Sequence, residues 1–317
     1  MSTTDRPTMH AIAAREWGSP DVLESITVPR PKPRPTEILV AVHAAGVNPT
    51  DWKGRATGGF RQYGDPAILG HDVSGVVEAV GHGVRLYRPG DEVFGMPHFP
   101  QAGAYAEYVT APARHFAPKP AGLSHVEAAG LPLVGLTAWQ AFADVAKLQP
   151  GQRVLVHAAA GGVGHVAVQL AKALGAYVIG TASAAKHEFL RGLGADELID
   201  YRETDFAEVL SDVDVVLDTI GDYALRSLSV LRRGGVHVPL TLPTDAEVAA
   251  RAAELGVSTG WMLVEPDHAG MLALAGLVDA GKLRVEVAEV VPLAEAARAH
   301  ELGESNRTTG KIVLQVR

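Results

Sequence analysis

The run Val154-Leu155-Val156-His157-Ala158-Ala159-Ala160-Gly161-Gly162-Val163-Gly164 constrains this chain more than any other. It reads as an apolar strand, a glycine loop and the start of a helix. The loop follows a G-x-G-x-x-G pattern with Ala159 in place of the first glycine. Glycine at the second position, Gly161, lets the backbone approach a pyrophosphate, and Gly164 at the third lets the helix pack closely on the strand. The helix that follows presents unsatisfied N–H groups and a positive dipole end to phosphates. The bland alternative is a glycine-rich turn that only packs. The strand–loop–helix context favours a dinucleotide, with Gly161, Gly162, Val163 and Gly164 as its cradle.

The surrounding pattern agrees. After Pro150-Gly151, apolar runs at 153–158, 177–181, 197–201, 213–219 and 235–240 alternate with helical patterns, among them 163–174 and 186–192. Strands and helices alternating at this spacing give a parallel sheet covered on both faces. Ser124-His125-Val126-Glu127 opens this half with a capping box. The first third differs: a proline-dense connector, Val28-Pro29-Arg30-Pro31-Lys32-Pro33-Arg34-Pro35, precedes short strands with glycine turns, which suggests a partly closed β-barrel. A helix is expected over 267–282, and the strand-like segments 284–291 and 311–316 return to the first domain. A chain of 317 residues exceeds one hydrophobic core, so two domains are expected. They are 1–122 with 267–317, and 123–266.

Composition closes off other readings. The 28 basic and 36 acidic residues give a net charge of −8, which argues against a nucleic-acid partner. The absence of cysteine removes disulfides, thiolate zinc sites and cysteine nucleophiles. No run approaches the roughly 20 apolar residues of a membrane span, and the first residues lack the apolar run of a signal peptide. A soluble, cytoplasmic protein with no membrane partner is the expectation.

Cofactor type is legible at the end of the next strand. An NAD enzyme commonly has an acidic residue there for the ribose 2′-hydroxyl. Here the segment is Thr181-Ala182-Ser183-Ala184-Ala185-Lys186, with a hydroxyl and an amine but no carboxylate. Ser183 and Lys186 suit a 2′-phosphate, so NADP(H) is favoured. The competing reading makes Ser183 a helix cap and Lys186 a solvated charge.

Four segments resemble the zinc-free quinone oxidoreductase branch of the medium-chain dehydrogenase/reductase superfamily. They are Ala45-Gly46-Val47-Asn48-Pro49-Thr50-Asp51-Trp52-Lys53, Leu69-Gly70-His71-Asp72-Val73-Ser74-Gly75, the glycine loop, and Gly310-Lys311-Ile312-Val313-Leu314. The resemblance implies a GroES-like, partly open β-barrel catalytic domain and a doubly wound Rossmann domain, with substrate held between them. It places Asn48 at the nicotinamide ribose with Asp51 beside it, Tyr201 near the adenosine 2′-phosphate, and Thr137, Ile220-Gly221 and Leu240-Thr241 along the nicotinamide. Lys53 stands where many quinone reductases have tyrosine, and relatives with Asp-Trp-Lys include reductases of α,β-unsaturated carbonyls. Lys53 is read as an oxyanion partner or phosphate contact, against a solvated surface lysine.

The zinc alcohol dehydrogenases of this superfamily have cysteine where this chain has Asn48, Gly-His-Glu where it has Gly70-His71-Asp72, and a third ligand near 133–135. Only His71 matches a ligand, so no metal is expected and His71 is read as a structural histidine. Without a Lewis acid for an alcohol's proton, the easier reaction is hydride delivery from NADPH to a quinone or α,β-unsaturated carbonyl, with Asn48, Asp51 and Lys53 as catalytic candidates. Two rival readings stay open: a trans-acting enoyl reductase of fatty-acid or polyketide metabolism, and a non-catalytic NADPH-binding redox sensor. Segments 58–63 and 97–103 are expected to shape the acceptor pocket. Residues 257–264 read as an uncharged final strand, whose pairing with a second copy would give a homodimer.

Overall fold

The computed structural model describes residues 7–58, 64–97, 103–241 and 243–317. Residues 59–63 and 98–102, inside the two segments expected to shape the acceptor pocket, lie outside the described residues, as does His98. Contacts divide the chain into two compact units. One comprises Met1–Leu133, Glu265–Asp279 and Val285–Arg317, and the other Val134–Val264 and Ala280–Arg284.

The first unit is built on strand Glu37–Val47, whose residues are almost all buried. It is long enough to be shared. Its first half pairs antiparallel with Tyr108–Pro112 and its second half with Lys311–Gln315, while Val73–Val80 runs along the other edge. Register shifts at Leu39/Val40 and Val42/Ala44 bend it, as bulges do where a sheet curls towards closure. Among the described residues the sheet has seven strands, with Val287–Pro292 at one end and Phe116–Pro118 at the other. The segment expected to return to this domain does so as Lys311–Gln315, between Val287–Pro292 and Glu37–Val47. Inside, Ile38, Val40, Val42, Leu69, Val93, Phe116 and Leu314 form one buried cluster. A partly open barrel is the result.

The second unit is a parallel sheet of six strands among the described residues, in the order Glu197–Ile199, Tyr177–Thr181, Arg153–Val156, Val213–Asp218, Leu231–Pro239, Ser258–Thr259. The central strand carries Val154, Leu155 and Val156, all fully buried, as expected where helices cover both faces. The chain runs outward from Arg153–Val156 to one side, then restarts at Val213–Asp218 on the other. That reversal is the switch point at which open α/β sheets hold ligands. The glycine loop leaves the sheet there.

The last strand is shorter than the sequence suggests. Only Ser258–Thr259 pairs, with Val236 and His237, and after a last bond from Gly260 N–H to His237 O at 3.2 Å residues 261–264 leave the ladder. An uncharged apolar run has the composition of a strand, but Gly260 follows Thr259 directly and favours departure from extended pairing. No helix among the described residues is long and apolar enough to cross a membrane.

Candidate functional site

In the second unit the functional surface is made largely of main chain. Helix Gly162–Ala173 starts from Gly161, with no side chain capping its first turn. Its leading N–H groups are therefore available to an anion. A methyl group on Gly164 would lie 2.7 Å from Ala159 Cα and closer still to the Ala158 carbonyl oxygen. Only glycine fits this contact. The departure at Ala159 has a compensation across the sheet: a Cβ on Gly180 would meet Ala159 Cβ at 2.9 Å. The alanine methyl thus occupies room left by a glycine on the neighbouring strand. Ala158 itself adopts φ 43°, a left-handed turn conformation disfavoured for a residue with a Cβ.

The turn is pinned from below by side chains the sequence reading did not single out. Thr181 Oγ1 accepts from Ala158 N–H at 3.2 Å and lies 3.2 Å from His157 Nδ1, whose Nε2 lies 3.0 Å from Ser227 Oγ. Burial lowers the His157 pKa to about 4, so the ring is neutral at pH 7. Asp218, fully buried at the end of its strand, does the same for the next turn. Its Oδ1 accepts from Ile220 and Gly221 N–H, both at 2.9 Å, and Oδ2 faces His237 Nε2 at 3.4 Å. Burial works to raise the Asp218 pKa, but the His237 hydrogen bond and the two backbone N–H groups outweigh it and hold the carboxyl below its usual range. A carboxylate closing an apolar strand was the available signal.

The expected cofactor residues fall into two groups here. Ile220, Leu240 and Thr241 lie half-buried at adjacent strand ends, with Leu240 N–H bonded to the Asp218 carbonyl at 2.9 Å. Thr241 Oγ1 is buried without a hydrogen-bond partner, which leaves a polar atom for a ligand. Ser183 is buried, Lys186 half-buried and Tyr201 exposed, around the end of strand Tyr177–Thr181. One carboxylate comes to this corner from a different segment: Asp200 Oδ2 accepts from Ala184 N–H at 2.9 Å and Oδ1 from Arg202 N–H at 3.0 Å. Those backbone bonds hold the Asp200 carboxyl below its usual range. Thr137 is buried within helix Pro132–Gln140.

In the first unit the candidate site is made of side chains. Asn48 caps helix Pro49–Thr57 and is fully buried. Its N–H donates to Asp51 Oδ2 at 2.8 Å and its amide Nδ2 to Asp72 Oδ2 at 2.8 Å. His71 Nδ1 lies 2.6 Å from Asp51 Oδ1, and Tyr105 OH lies 3.3 Å from Asp51 Oδ2 and 3.1 Å from His300 Nε2. Burial raises the Asp51 pKa, but the His71 charge and hydrogen bond, His300 and the Asn48 N–H prevail and lower it. For Asp72 burial prevails, raising its pKa against Lys311, the Asn48 amide and Leu133 N–H. Burial lowers His300 to about 4.

The structure thus joins Asn48 and Asp51 in one network and leaves Lys53 outside it, exposed on the helix. His71 is inside the same network through Nδ1, which lies against Asp51 Oδ1. Lys311, which the sequence reading quoted only as part of a motif, is inside: its ammonium donates to Val47 O at 2.9 Å and to Asn48 Oδ1, and lies 3.3 Å from Asp72 Oδ2. Among the described residues no three His, Asp or Glu side chains gather as a metal would need.

Comparison with known proteins identifies the family. Residues 34–121 match the alcohol dehydrogenase GroES-like domain and residues 193–314 the zinc-binding dehydrogenase family. The chain is 39% identical to the quinone oxidoreductase from Coxiella burnetii, with a TM-score of 0.91 over 98% of this chain and 100% of that one. It is 31% identical to Escherichia coli quinone oxidoreductase, solved in complex with NADPH, with a TM-score of 0.87 over 98% and 100% of the two chains. The 2-haloacrylate reductase of Burkholderia sp is 36% identical over 96% of this chain and 98% of its own. The chain belongs to the medium-chain dehydrogenase/reductase superfamily and is an oxidoreductase of the quinone oxidoreductase type. The residues at the superfamily's zinc positions do not fit that metal: Asn48 Oδ1 and Asp72 Oδ2 are taken by the Lys311 ammonium.

Proposed function

We propose that this protein is an NADPH-dependent, metal-independent reductase that delivers hydride to a quinone or an α,β-unsaturated carbonyl. The observation that carries the reading is the corner where an uncapped glycine-led helix meets Ser183 and Lys186 while both Asp200 oxygens are bonded to main-chain N–H groups. Likeness to an NADPH-bound quinone oxidoreductase and to a reductase of a halogenated acrylate supports both halves of it.

In this reading Gly161, Gly162, Val163 and Gly164 hold the pyrophosphate. Ser183, Lys186 and Tyr201 hold the 2′-phosphate. Thr137, Ile220, Leu240 and Thr241 lie along the nicotinamide, with Asn48 at its ribose. The bound cofactor supplies the hydride. The chain's own residues bind, orient and exclude water, which converts a bimolecular step into an oriented one. Asp51 holds Asn48 and the start of its helix in place. Lys53, whose head is solvated, is the candidate donor to the oxygen on which negative charge develops.

The test is an NADPH-consumption screen across quinones, enones and enoyl thioesters. Turnover with simple quinones or enones, unchanged by chelators, is expected. Turnover of enoyl thioesters alone would replace the reading with an enoyl reductase, and binding without any turnover with a redox sensor. We also propose a homodimer through the Ser258–Thr259 edge, beside which Trp261 and Leu263 are 37% and 41% exposed. Light scattering at micromolar concentration giving a mass near the 33.3 kDa of one chain would overturn it.

A further inference from the structure

Lys311 opens strand Lys311–Gln315 and is 3% exposed. A buried ammonium has three hydrogens to satisfy, and here three acceptors take them: Val47 O, Asn48 Oδ1 and Asp72 Oδ2. Asp72 is committed further, since Oδ2 also accepts from Asn48 Nδ2 at 2.8 Å and Oδ1 accepts from Leu133 N–H at 2.7 Å. The Asn48 amide therefore has its oxygen on a cation and its nitrogen on a carboxylate. Turning it over would set NH₂ against the ammonium and oxygen against the carboxylate. Two charge-assisted hydrogen bonds would become two repulsions. The amide has one orientation. Of its two Nδ2 hydrogens one goes to Asp72, and the second is left for something outside this network.

We propose that Lys311 is a positioning residue that, with Asp72, locks Asn48 as a hydrogen-bond donor to the bound dinucleotide. The inference rests on Asn48 lying at the nicotinamide ribose, as in the function proposed above. Any loss of Lys311 would act through Asn48.

The chain has two asparagines, Asn48 and the exposed Asn306. Protein labelled with ¹⁵N only at asparagine therefore gives two side-chain amide pairs, assigned by losing one in Asn306→Ser. Saturating NADPH is expected to shift the Asn48 pair and leave the Asn306 pair in place. NADPH that binds saturably without moving the Asn48 pair would overturn the inference alone. NADPH that does not bind would overturn the function beneath it.

Two variants test Lys311 itself. Lys311→Arg keeps the charge but splits the donors of one atom over a fork. Lys311→Met with Asp72→Asn removes both charges together, so no buried charge is left unpaired. Each is expected to keep a cooperative unfolding transition and to raise the KM for NADPH at least tenfold, with a smaller change in kcat, and to lose the NADPH-induced shift of Asn48. An unchanged KM for NADPH, or an intact shift, in either variant would reduce Lys311 to a structural ion pair. Should the double variant not fold, Lys311→Arg decides by the same two readings.

Discussion

Around residues 153–241 the candidate site is main chain, whereas around Asn48 it is side chain. In the first region glycines bring N–H groups to the surface, and buried Asp218, Thr181 and His157 hold the turns from behind. In the second, Asn48, Asp51, His71, Asp72, Tyr105, His300 and Lys311 are joined in one hydrogen-bonded network. A main-chain surface suits phosphates, which every dinucleotide shares. A locked side-chain network suits the reacting end, where an ångström of misplacement is costly.

Each region buries one neutral histidine, and acid should break both. His157 and His300 have folded pKa values of about 4, lowered by burial from 6.5. A lowered folded pKa means the unfolded chain takes up the proton first. The stability these rings contribute is complete above about pH 6.5 and falls as the pH drops from there towards 4. Each is expected to cost about 3 kcal/mol over that window. Denaturant titrations between pH 7.5 and 4.5 measure it. His157→Gln and His300→Gln should each flatten the acid limb by up to one proton's slope, and two unaltered limbs would show the rings already solvated.

Asp218→Ala asks whether the main-chain surface depends on its buried carboxylate. It removes the acceptor of two N–H groups and the partner of His237, so a loss of about 3 kcal/mol is expected in urea unfolding. Asp218→Asn keeps an oxygen for both N–H groups and should retain most of the stability. If alanine and asparagine behave alike, the carboxylate does not hold the Ile220-Gly221 turn.

Gly164→Ala tests the cradle itself. The added methyl must push back the Ala158–Ala159 backbone, and overpacking of this kind costs about 2 kcal/mol. NADPH affinity, read by fluorescence titration, should fall about thirtyfold by the same energy. An affinity within threefold of the unmodified protein would mean the loop does not touch the pyrophosphate.

The two regions were also unequally legible in the sequence. The glycine loop lies within eleven consecutive residues, and its spacing states a backbone geometry directly, so sheet, helix and loop could be read together. Strand Tyr177–Thr181 came out at the expected bounds because it is an apolar run closed by turn residues. The network around Asn48 gathers residues from segments as far apart as Asn48 and Lys311. No local pattern says that a lysine 263 positions away fixes an amide. Asp200 was missed for the same reason: it reaches the Ser183 corner from the neighbouring strand's end, not along its own. Residues 257–264 failed differently, since composition marks a strand but only partners and exit geometry set its length.

The smallest expected effect tests the corner where main-chain and side-chain recognition meet. Lys186→Ala should weaken NADPH about tenfold, about 1.4 kcal/mol, and leave NADH nearly unchanged. Lys186 is half-buried at the helix turn that follows strand Tyr177–Thr181, with Ser183 buried just before it. Asp200 is the acidic group bonded there, and its two oxygens are bonded to Ala184 and Arg202 N–H, which spreads its charge onto main chain. The ammonium is then the group that distinguishes a 2′-phosphate from a 2′-hydroxyl, through a charge pair partly screened by solvent. That screening keeps the expected loss to one decade rather than three. Paired titrations with the two cofactors decide it. Equal affinity of the unmodified protein for NADPH and NADH would overturn the assignment of NADP(H) to this corner.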